Sequence, residues 1–527
     1  MPHARVLRTP LFATATAVAL ILTLGAASAA GKGRRLQKAD PTVAGPVDAI
    51  SGYSGSGGMS SSGRFVVEQI EIQVVPGSNS ETRSQVVLFD GKRGETRLVS
   101  RSTRGDGVGN ALSYVPDISR DGRAVVFASY ATDLVDDGTS DDNDVVDIFL
   151  YDIASGSTRL VSKAAGTEQA ADGLSYSPVF NADGSWILFT SSATNLTTEG
   201  PAVTSGSASR RNLFAHELAT GRTLLVTANS AGTGDASGSL SGEYRFSGDG
   251  RHALFGHTGS DLVAGTADGS STADLFLRDL REGTTLLVSA LPDGSAVGSV
   301  PGGSSDGIAI SADGRFVVYQ SPVAGIVPND TNGRSDVFRR DLVEESTLLV
   351  TANAARTGAA DAGGHGDAAS DDARIIVFSS RSTDLGFDPA VAGGGDDDAV
   401  YVYDAAKDRT TLVSHRRGDA RRIAGGYAYS HALTPNGRYL LFASTATDLV
   451  RRKTDSAEDL FLYDVRRRKI RQLTRIAKGL TPNLDEHYFG TARISANGRI
   501  VSFVTAATDF DKKDTDQHED LYVLRAR

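Results

Sequence analysis

The chain has 527 residues and a formal net charge of −10, with 64 acidic residues against 54 lysines and arginines. This balance argues against nucleic-acid binding by the whole surface, which requires an excess of positive charge. The chain contains no cysteine, so disulfide bonds and lipid attachment at a cysteine are both excluded.

The first 29 residues have the pattern of a secretory signal peptide. A basic start precedes an apolar run over residues 11–24 and the small residues A-A-S-A-A, and Ala27 to Ala29 predict cleavage after Ala29. An N-terminal membrane anchor is the alternative, although the run is short for a span. No later stretch is apolar enough to cross a membrane. We therefore expect a secreted, periplasmic or cell-envelope protein that has no span once the signal is removed.

One phrase is repeated eight times over residues 51–527, at a spacing of about 62 residues. In the copy that begins at Ser119 it reads S-R-D-G-R-A-V-V-F-A-S-Y-A-T-D-L-V, and its second half reads D-I-F-L-Y-D-I-A-S-G-S-T-R-L-V-S from Asp147. Its apolar runs and Asp-Gly turns predict four short strands in each copy. In the third copy these are residues 176–180, residues 186–191, a strand from Asn212, and residues 223–227.

The repeat predicts an all-β fold, a single β-propeller of eight four-stranded blades. A β-solenoid is the alternative, but its rungs are usually shorter than these copies. The eighth copy ends after its third strand, D-L-Y-V-L from Asp520. We therefore expect residues 30–50 to be a linker with a closing strand. The segment Val47 to Ile50 is the expected outer strand of the last blade, where it covers exposed sheet edges.

The repeats resemble the WD40-like (PD40) repeats of the TolB-type propellers. The pattern S-x-D-G-R is present at Ser311 to Arg315, and its partner D-[ILV]-[FY] is present at Asp336 to Phe338 and again at Asp459 to Phe461. The resemblance covers residues 50–527 and implies a propeller fold. Members of this family have many functions, so it implies no single activity.

The loops between the second and third strands contain a recurrent acidic pattern, D-x-[ND]-x-x-x-D, with a weaker version in the fourth copy. Oxygen ligands at this spacing suit a hard cation, so Ca²⁺ is the one cofactor that the sequence suggests. A structural turn capped by the last aspartate is the alternative interpretation. The candidate ligands are Asp141, Asn143, Asp147, Asp268, Asp274, Asp330, Asn332, Asp336, Asp514, Asp516 and Asp520.

A basic cluster in the sixth and seventh copies is a candidate patch for an anionic ligand. A solvated run of charges is the alternative interpretation. The cluster consists of Arg416, Arg417, Arg421, Arg422, Arg451, Arg452 and Lys453.

No motif in the sequence marks a catalytic centre, so no catalytic residue is assigned. One position departs from the repeat, because Glu68 stands where the other copies have Phe or Tyr. We predict a non-enzymatic, monomeric propeller that binds a protein or a cell-envelope polymer on its loop-rich face, with no nucleic-acid partner. The alternative is an extracytoplasmic hydrolase or lyase that acts on glycans or peptides with acidic residues near the central channel.

Overall fold

A computed structural model provides the structure of the chain. It describes residues 36–38, 49–50, 57–73, 82–104, 107–197, 200–204, 210–265, 272–297, 309–388, 398–451, 453, 455–474, 489, 491–508, 510 and 519–526. The predicted signal peptide, residues 1–29, lies outside these ranges. Among the described residues no helix has the length and apolar character needed to cross a membrane.

Thirty-three strands are described, and they form eight antiparallel sheets. Two short strands come first, β1 (Leu36–Lys38) and β2 (Ala49–Ile50). Blade 1 has β3 (Gly57–Met59), β4 (Phe65–Gln73), β5 (Thr82–Asp90) and β6 (Glu95–Leu98). Blade 2 has β7 (Ser113–Ile118), β8 (Ala124–Ser129), β9 (Asp147–Asp152) and β10 (Thr158–Leu160). Blade 3 has β11 (Ser175–Phe180), β12 (Trp186–Ser191), β13 (Asn212–Glu217) and β14 (Thr223–Leu225). Blade 4 has β15 (Leu240–Phe246), β16 (His252–His257), β17 (Asp274–Asp279) and β18 (Thr284–Leu287).

The second half of the ring repeats this order. Blade 5 has β19 (Ala309–Ile310), β20 (Phe316–Ser321), β21 (Asp336–Asp341) and β22 (Ser346–Leu349). Blade 6 has β23 (His365–Ala369), β24 (Ile375–Ser380), β25 (Ala399–Asp404) and β26 (Arg409–Leu412). Blade 7 has β27 (Ala428–Leu433), β28 (Tyr439–Ser444), β29 (Asp459–Asp464) and β30 (Lys469–Gln472). Blade 8 has β31 (Ala492–Ile494), β32 (Ile500–Thr505) and β33 (Asp520–Arg525), and it is completed by β1. The predicted eight-bladed β-propeller is confirmed.

The ring is closed by an N-terminal strand, as predicted, but by a different segment from the one expected. Leu36–Lys38 pairs antiparallel with Tyr522–Leu524 and forms the outer strand of blade 8. The predicted segment, Val47 to Ile50, was the wrong choice, because its last two residues pair with Glu71 and Ile72 of blade 1. Both segments are short and carry no pattern that separates one sheet edge from the other.

Each blade is held by aromatic packing between its two middle strands. In blades 2 to 8 an aromatic residue of the second strand faces one of the third strand, with ring centroids 5.2 to 6.0 Å apart. Such pairs stabilise a sheet beyond the area that they bury. The pairs are Phe127–Phe149, Phe189–Phe214, Phe255–Phe276, Tyr319–Phe338, Phe378–Tyr401, Phe442–Phe461 and Phe503–Tyr522. Blade 1 departs from the rule, because Glu68 pairs there with Val87.

The S-x-D-G-R phrase forms the hairpin between the first and second strands. In blade 2 the Ser119 hydroxyl donates to Asp121 at 2.7 Å, and the Arg123 amide donates to the same carboxylate at 3.0 Å. Gly122 adopts a φ of 71°, which costs glycine no steric strain. These hairpins lie together at one end of the channel, called here the turn face.

The arginine at the end of this phrase forms an ion pair that recurs on the turn face. In blade 5, Arg315 donates to both oxygens of Asp341, at 2.9 and 2.7 Å. This bidentate pairing lowers the pKa of Asp341 to about 2. The equivalent pairs are Arg64–Asp90, Arg251–Asp279, Arg374–Asp404 and Arg438–Asp464.

The opposite end, the loop face, is organised by the aspartate of the T-D-L phrase. In blade 2 the Asp133 side chain accepts the Asn110 amide at 2.9 Å, and its carbonyl accepts the Thr103 amide at 2.8 Å. The carboxylates of Asp261 and Asp384 accept loop amides in the same way. In these blades the T-D-L phrase therefore attaches the between-blade loop to the blade that follows it.

Candidate functional site

The central channel is lined by the first strand of each blade. Its mouth on the loop face has tyrosines on two opposite sides of the ring. In blades 2 and 3 the ring of Tyr114 lies 5.3 Å from that of Tyr176 and 6.0 Å from that of Tyr130. In blade 7, Tyr427 and Tyr429 have ring centroids 6.2 Å apart. The mouth therefore presents flat aromatic faces with polar edges.

A buried carboxylate holds the blade 7 tyrosines in position. Glu458 is 4 % exposed, and it accepts the hydroxyl of Tyr429 at 2.7 Å, that of Tyr427 at 3.2 Å and the Phe489 amide at 3.2 Å. Three donors offset the cost of burying the charge. The two rings are therefore fixed before any ligand arrives.

The inner strands of blades 2 and 3 carry backbone strain beside the tyrosines. Val115 and Ser177 have φ values of 52° and 53°, and the register of each strand shifts at this point. A β-branched residue with positive φ is costly, and a proline follows both residues. Strain of this kind is concentrated at functional sites. The bulge turns Tyr114 and Asp117 to their places along the channel.

Deeper in the channel, Arg493 of blade 8 is the centre of a cluster of charged side chains. It forms an ion pair with Glu68 of blade 1, and the two side chains are 16 % and 3 % exposed. Gly57 pairs with Glu68, and a Cβ at Gly57 would lie 2.6 Å from the Glu68 carboxylate and 2.8 Å from the Arg493 guanidinium. Gly57 therefore provides the space that the ion pair occupies.

Asp117 of blade 2 faces this cluster. Its carboxylate accepts the Phe180 amide of blade 3 at 2.9 Å and the Ile118 amide at 2.8 Å. Burial raises the pKa of Asp117, and the two amides and the charges of Arg245 and Arg493 counteract only part of that rise. Asp117 is thus a carboxyl group that keeps its proton to a higher pH than an exposed aspartate.

His431 of blade 7 completes the cluster. Burial, helped by the positive charge of Arg493, lowers the pKa of His431 to about 4, so its imidazole is neutral at neutral pH. Its ring lies edge-on to Tyr429, with centroids 5.0 Å apart. Within the described part of the chain, its Nε2 atom has no hydrogen-bond partner. A neutral imidazole with an unpaired nitrogen is suited to accept a proton.

The turn face narrows this channel. Backbone hydrogen bonds join the hairpin of blade 8 to that of blade 1 and that of blade 1 to that of blade 2, through Ser61. A second series joins blades 4, 5, 6 and 7, through Ala312 and Asp371. The Arg120 guanidinium of blade 2 reaches the Asp371 carboxylate of blade 6 at 3.1 Å. Because blades 2 and 6 are opposite each other in a ring of eight, this ion pair crosses the end of the channel.

In blades 2 and 5, residues of the predicted acidic pattern contact one another within the same loop. In blade 2, Asn143 donates to Asp147 at 2.9 Å, and the Ser162 hydroxyl donates to the same carboxylate at 2.5 Å. Asp141 lies within hydrogen-bonding reach of Asp147, and burial together with that neighbouring carboxyl raises the pKa of Asp141 to about 7. Burial also raises the pKa of Asp147, to about 6.

Blade 5 repeats this arrangement. Asn332 donates to Asp336 at 2.8 Å, and the Thr351 hydroxyl donates at 2.5 Å. The side-chain oxygen of Asn332 accepts the Arg334 amide at 2.8 Å, so this asparagine fixes a turn. Asn143 accepts the Val145 amide in the same way.

The remaining predicted ligands are less completely described. Asp268, Asp514 and Asp516 lie outside the described residues. Asp274 accepts the Ser289 hydroxyl at 2.8 Å, and Asp520 begins β33. Among the residues that the structure describes, no group of three or more His, Asp or Glu side chains is arranged as a metal site. The calcium hypothesis stays a prediction.

The predicted basic patch loses one member in the structure. The side chain of Lys453 is fully buried, and its ammonium lies 3.1 Å from Asp459 and 3.3 Å from Asp455. A neutralised, buried ammonium cannot receive an external anion, so placing Lys453 in this patch was wrong. Arg416, Arg417, Arg421 and Arg451 are exposed, Arg422 is partly buried, and Arg452 lies outside the described residues.

Sequence reasoning noticed Glu68 but did not identify Asp117, Arg245, His431 or Arg493. A signal was present, because Asp117, Arg245 and Arg493 each stand one residue before the end of an inner strand. The other blades have small or apolar residues at that register, namely Gly58, Val179, Ala309, Ala368 and Ala432. Aligning the inner strands by their turns would have revealed this layer of charges.

Comparison with known proteins adds structural likenesses only. No protein-family model matches the sequence, and no curated protein matches it. An oligogalacturonate lyase from Vibrio parahaemolyticus is similar over 97 % of this chain and 98 % of its own, at 10 % identity and a TM-score of 0.42. A putative TolB from Agrobacterium tumefaciens is similar over 72 % of this chain and 96 % of its own, at 15 % identity and a TM-score of 0.31. A prolyl endopeptidase is similar over 88 % of this chain and 54 % of its own, at 12 % identity and a TM-score of 0.42.

These comparisons correct one prediction. The similar structures are mostly enzymes with propeller domains, and the prediction of a non-enzymatic binding protein is wrong in their light. At these identities and TM-scores the likeness concerns the fold, and it assigns neither reaction nor substrate to this chain.

Proposed function

We propose that the protein is a hydrolase or lyase that acts on a glycan or peptide at the centre of the propeller, with His431 and Asp117 as its general base and general acid. The observation that carries this proposal is the pairing of opposite pKa shifts around Arg493. Burial lowers the pKa of His431 to about 4 and raises the pKa of Asp117, so the neutral form of each group is favoured. A neutral imidazole that can accept a proton and a neutral carboxyl that can donate one are the forms that an acid–base pair needs.

The roles follow from the protonation states. The Nε2 atom of His431 is buried and has no hydrogen-bond partner among the described residues, so it can accept a proton from a water or from a carbon next to a carboxylate once a substrate is brought to it. Asp117 can donate its proton to the leaving oxygen or nitrogen. Arg493 is held by Glu68, so its guanidinium is already positioned to stabilise negative charge that develops in the transition state.

The tyrosines at the mouth favour a substrate made of flat, polar-edged units, as sugars are. The ion pair between Arg120 and Asp371 obstructs the turn face, so the substrate enters from the loop face. A pocket with one open end suits a chain end or a short oligomer better than the middle of a long polymer. A glycan therefore fits better than a peptide.

The repeat type and the cellular location belong to the same proposal. The S-x-D-G-R and D-[ILV]-[FY] phrases support the assignment of the blades to the PD40 type. The pattern of residues 1–29 supports export, where a polymer substrate would be met outside the cytoplasm. The mass of the secreted chain tests this location, because cleavage after Ala29 leaves a chain that begins at Ala30.

The activity is tested by incubating the full-length protein with neutral and acidic oligosaccharides and with peptides, and by measuring new reducing ends, unsaturated products and new amines. Asp117→Asn and His431→Gln are each expected to lower the rate by about 10²–10⁴-fold. His216→Gln is the matched control, because His216 is also buried with a pKa lowered to about 4 but lies in the third strand of blade 3. Equal rates in folded Asp117→Asn, His431→Gln and parent proteins would refute the proposal, as would turnover of no substrate.

A further inference from the structure

In three blades the structure describes a charged side chain at the same point of the loop between the second and third strands. The position six residues before the strand-initial aspartate is occupied by Asp141 in blade 2, Asp330 in blade 5 and Lys453 in blade 7. The strand-initial aspartates are Asp147, Asp336 and Asp459. The three loops therefore share the strand-initial aspartate and differ in whether a carboxylate or an ammonium stands six residues before it.

Blade 7 shows what this part of the loop binds. The Lys453 ammonium lies 3.1 Å from Asp459 and 3.3 Å from Asp455, and it also contacts the carbonyl oxygen of Ala457. Its side chain is fully buried, so the ammonium is enclosed by oxygen atoms. The loop of blade 7 thus forms a slot for a cation and fills it with a side chain of its own.

Blade 5 has the slot without the lysine. Asp330 is 2 % exposed, and among the described residues neither of its carboxylate oxygens has a hydrogen-bond partner. The Asn332 amide is close enough to offset a little of the effect of burial on this carboxyl. The neighbouring Asp336 is fully buried. Two carboxylates buried side by side are costly unless a positive charge accompanies them.

We propose that Asp330 and Asp336 bind a Ca²⁺ ion in the slot that the Lys453 ammonium fills in blade 7. The donors are all oxygen atoms on a loop, which suits Ca²⁺, and the carbonyl of Arg334 stands at the register of Ala457. Blade 2 provides a second such slot, with Asp141 beside Asp147. Asn332 and Asn143 shape the loops through their hydrogen bonds, and each proposed site is built on two aspartates, backbone oxygens and water.

The test measures thermal unfolding of the full-length protein at neutral pH with millimolar Ca²⁺ or with a chelator. Because Ca²⁺ binds only the folded loops, each bound ion is expected to raise the midpoint by about 2–4 °C at a concentration about 100-fold above its Kd. Asp330→Lys combined with Asp141→Lys imitates blade 7, and it is expected to reduce the calcium response. Asp293→Asn, at an exposed aspartate of a between-blade loop, is the control and is expected to keep the full response.

Isothermal titration with CaCl₂ gives a reading that does not depend on the lysine variants. Asp330→Asn is expected to bind one ion fewer than the parent protein, and Asp293→Asn is expected to bind the same number as the parent. The proposal is overturned if the chelator and Ca²⁺ give the same midpoint and titration detects no ion. It is also overturned if Asp330→Asn binds as many ions as the parent protein, since no ion then depends on Asp330.

Discussion

The guanidinium of Arg120 and the carboxylate of Asp371 meet at 3.1 Å, although 251 residues separate them in the chain. They belong to hairpins of opposite blades, so their ion pair crosses the channel. It leaves the loop face as the open end and gives the cluster of Asp117, His431 and Arg493 a single entrance. Both side chains are more than 40 % exposed, at 45 % and 41 %, so the pair is positioned by the hairpins and contributes little to holding the fold.

A double-mutant cycle with Arg120→Ala and Asp371→Ala should give a coupling energy of about 0.2–1 kcal/mol, as for exposed ion pairs. Concentrated salt should remove most of it, because the charges are screened by solvent ions. Urea unfolding of the four proteins at low and high salt measures the coupling. A coupling that is insensitive to salt would mean that the pair is shielded from solvent.

The ion pair of Glu68 and Arg493 should behave differently, because both partners are largely buried. Glu68→Leu leaves the Arg493 guanidinium without its partner and should lower the free energy of unfolding by roughly 2–4 kcal/mol. The double variant Glu68→Leu/Arg493→Leu should recover much of this loss, since no charge remains uncompensated. Chemical denaturation checks both values. A double variant that is less stable than Glu68→Leu would contradict this account.

The recurrent pairs on the turn face should make stability depend on acid. The folded-state pKa values of Asp341 and Asp404 are both about 2, below the ordinary 3.8, because Arg315 and Arg374 bind their ionised forms. Their stabilisation is therefore fully present above about pH 4 and is lost as the pH falls towards 2. Unfolding free energies measured across this window should fall less steeply in Asp341→Asn. An unchanged slope in that variant would contradict the assignment.

The pH profile of the proposed activity should have two limbs. The rate should fall as the pH drops through about 4, where His431 becomes protonated, and it should fall again at the higher pH at which Asp117 loses its proton. Asp117→Asn should remove the alkaline limb from any residual activity, and His216→Gln should leave both limbs in place. Circular dichroism at each pH separates loss of activity from unfolding. A profile without an acid limb would exclude His431 as the base.

Loss of β1 should destabilise the ring and expose an edge. A chain that begins at residue 39 lacks the strand that pairs with Tyr522–Leu524, whereas a chain that begins at residue 36 retains it. The shorter chain should unfold at a lower temperature and should self-associate, because β33 becomes an unpaired edge. Thermal unfolding and light scattering compare the two. Identical behaviour would show that blade 8 does not need this strand.

Much of the fold could be predicted because the same pattern of strands and turns occurs eight times in the sequence. Strand bounds such as Trp186–Ser191 follow from the apolar run and the Asp-Gly turn before it. The closing strand could not be placed, because Leu36–Lys38 and Ala49–Ile50 are both short and its partner strand is about 490 residues away. Pairing at such a distance depends on the finished ring and leaves no local pattern.

The candidate site was harder to predict, because its residues are single departures from a repeated background. Glu68 was visible as an exception to an aromatic position, but its meaning depends on Arg493, which is 425 residues away in the chain. His431 is one of nine histidines and has no motif around it. Only the closure of the ring brings blades 1, 2, 7 and 8 together and turns these exceptions into one cluster.

The pairing of β1 with β33 also constrains the order in which parts of the protein can fold. Blade 8 combines strands from both ends of the chain, so it cannot be completed until residues 522–524 have been synthesised and have met residues 36–38. Until then the ring is open, and blades 1 and 8 each have a face without a neighbour. The Glu68–Arg493 pair joins blade 1 to blade 8, so the proposed catalytic centre forms only when these two blades have met.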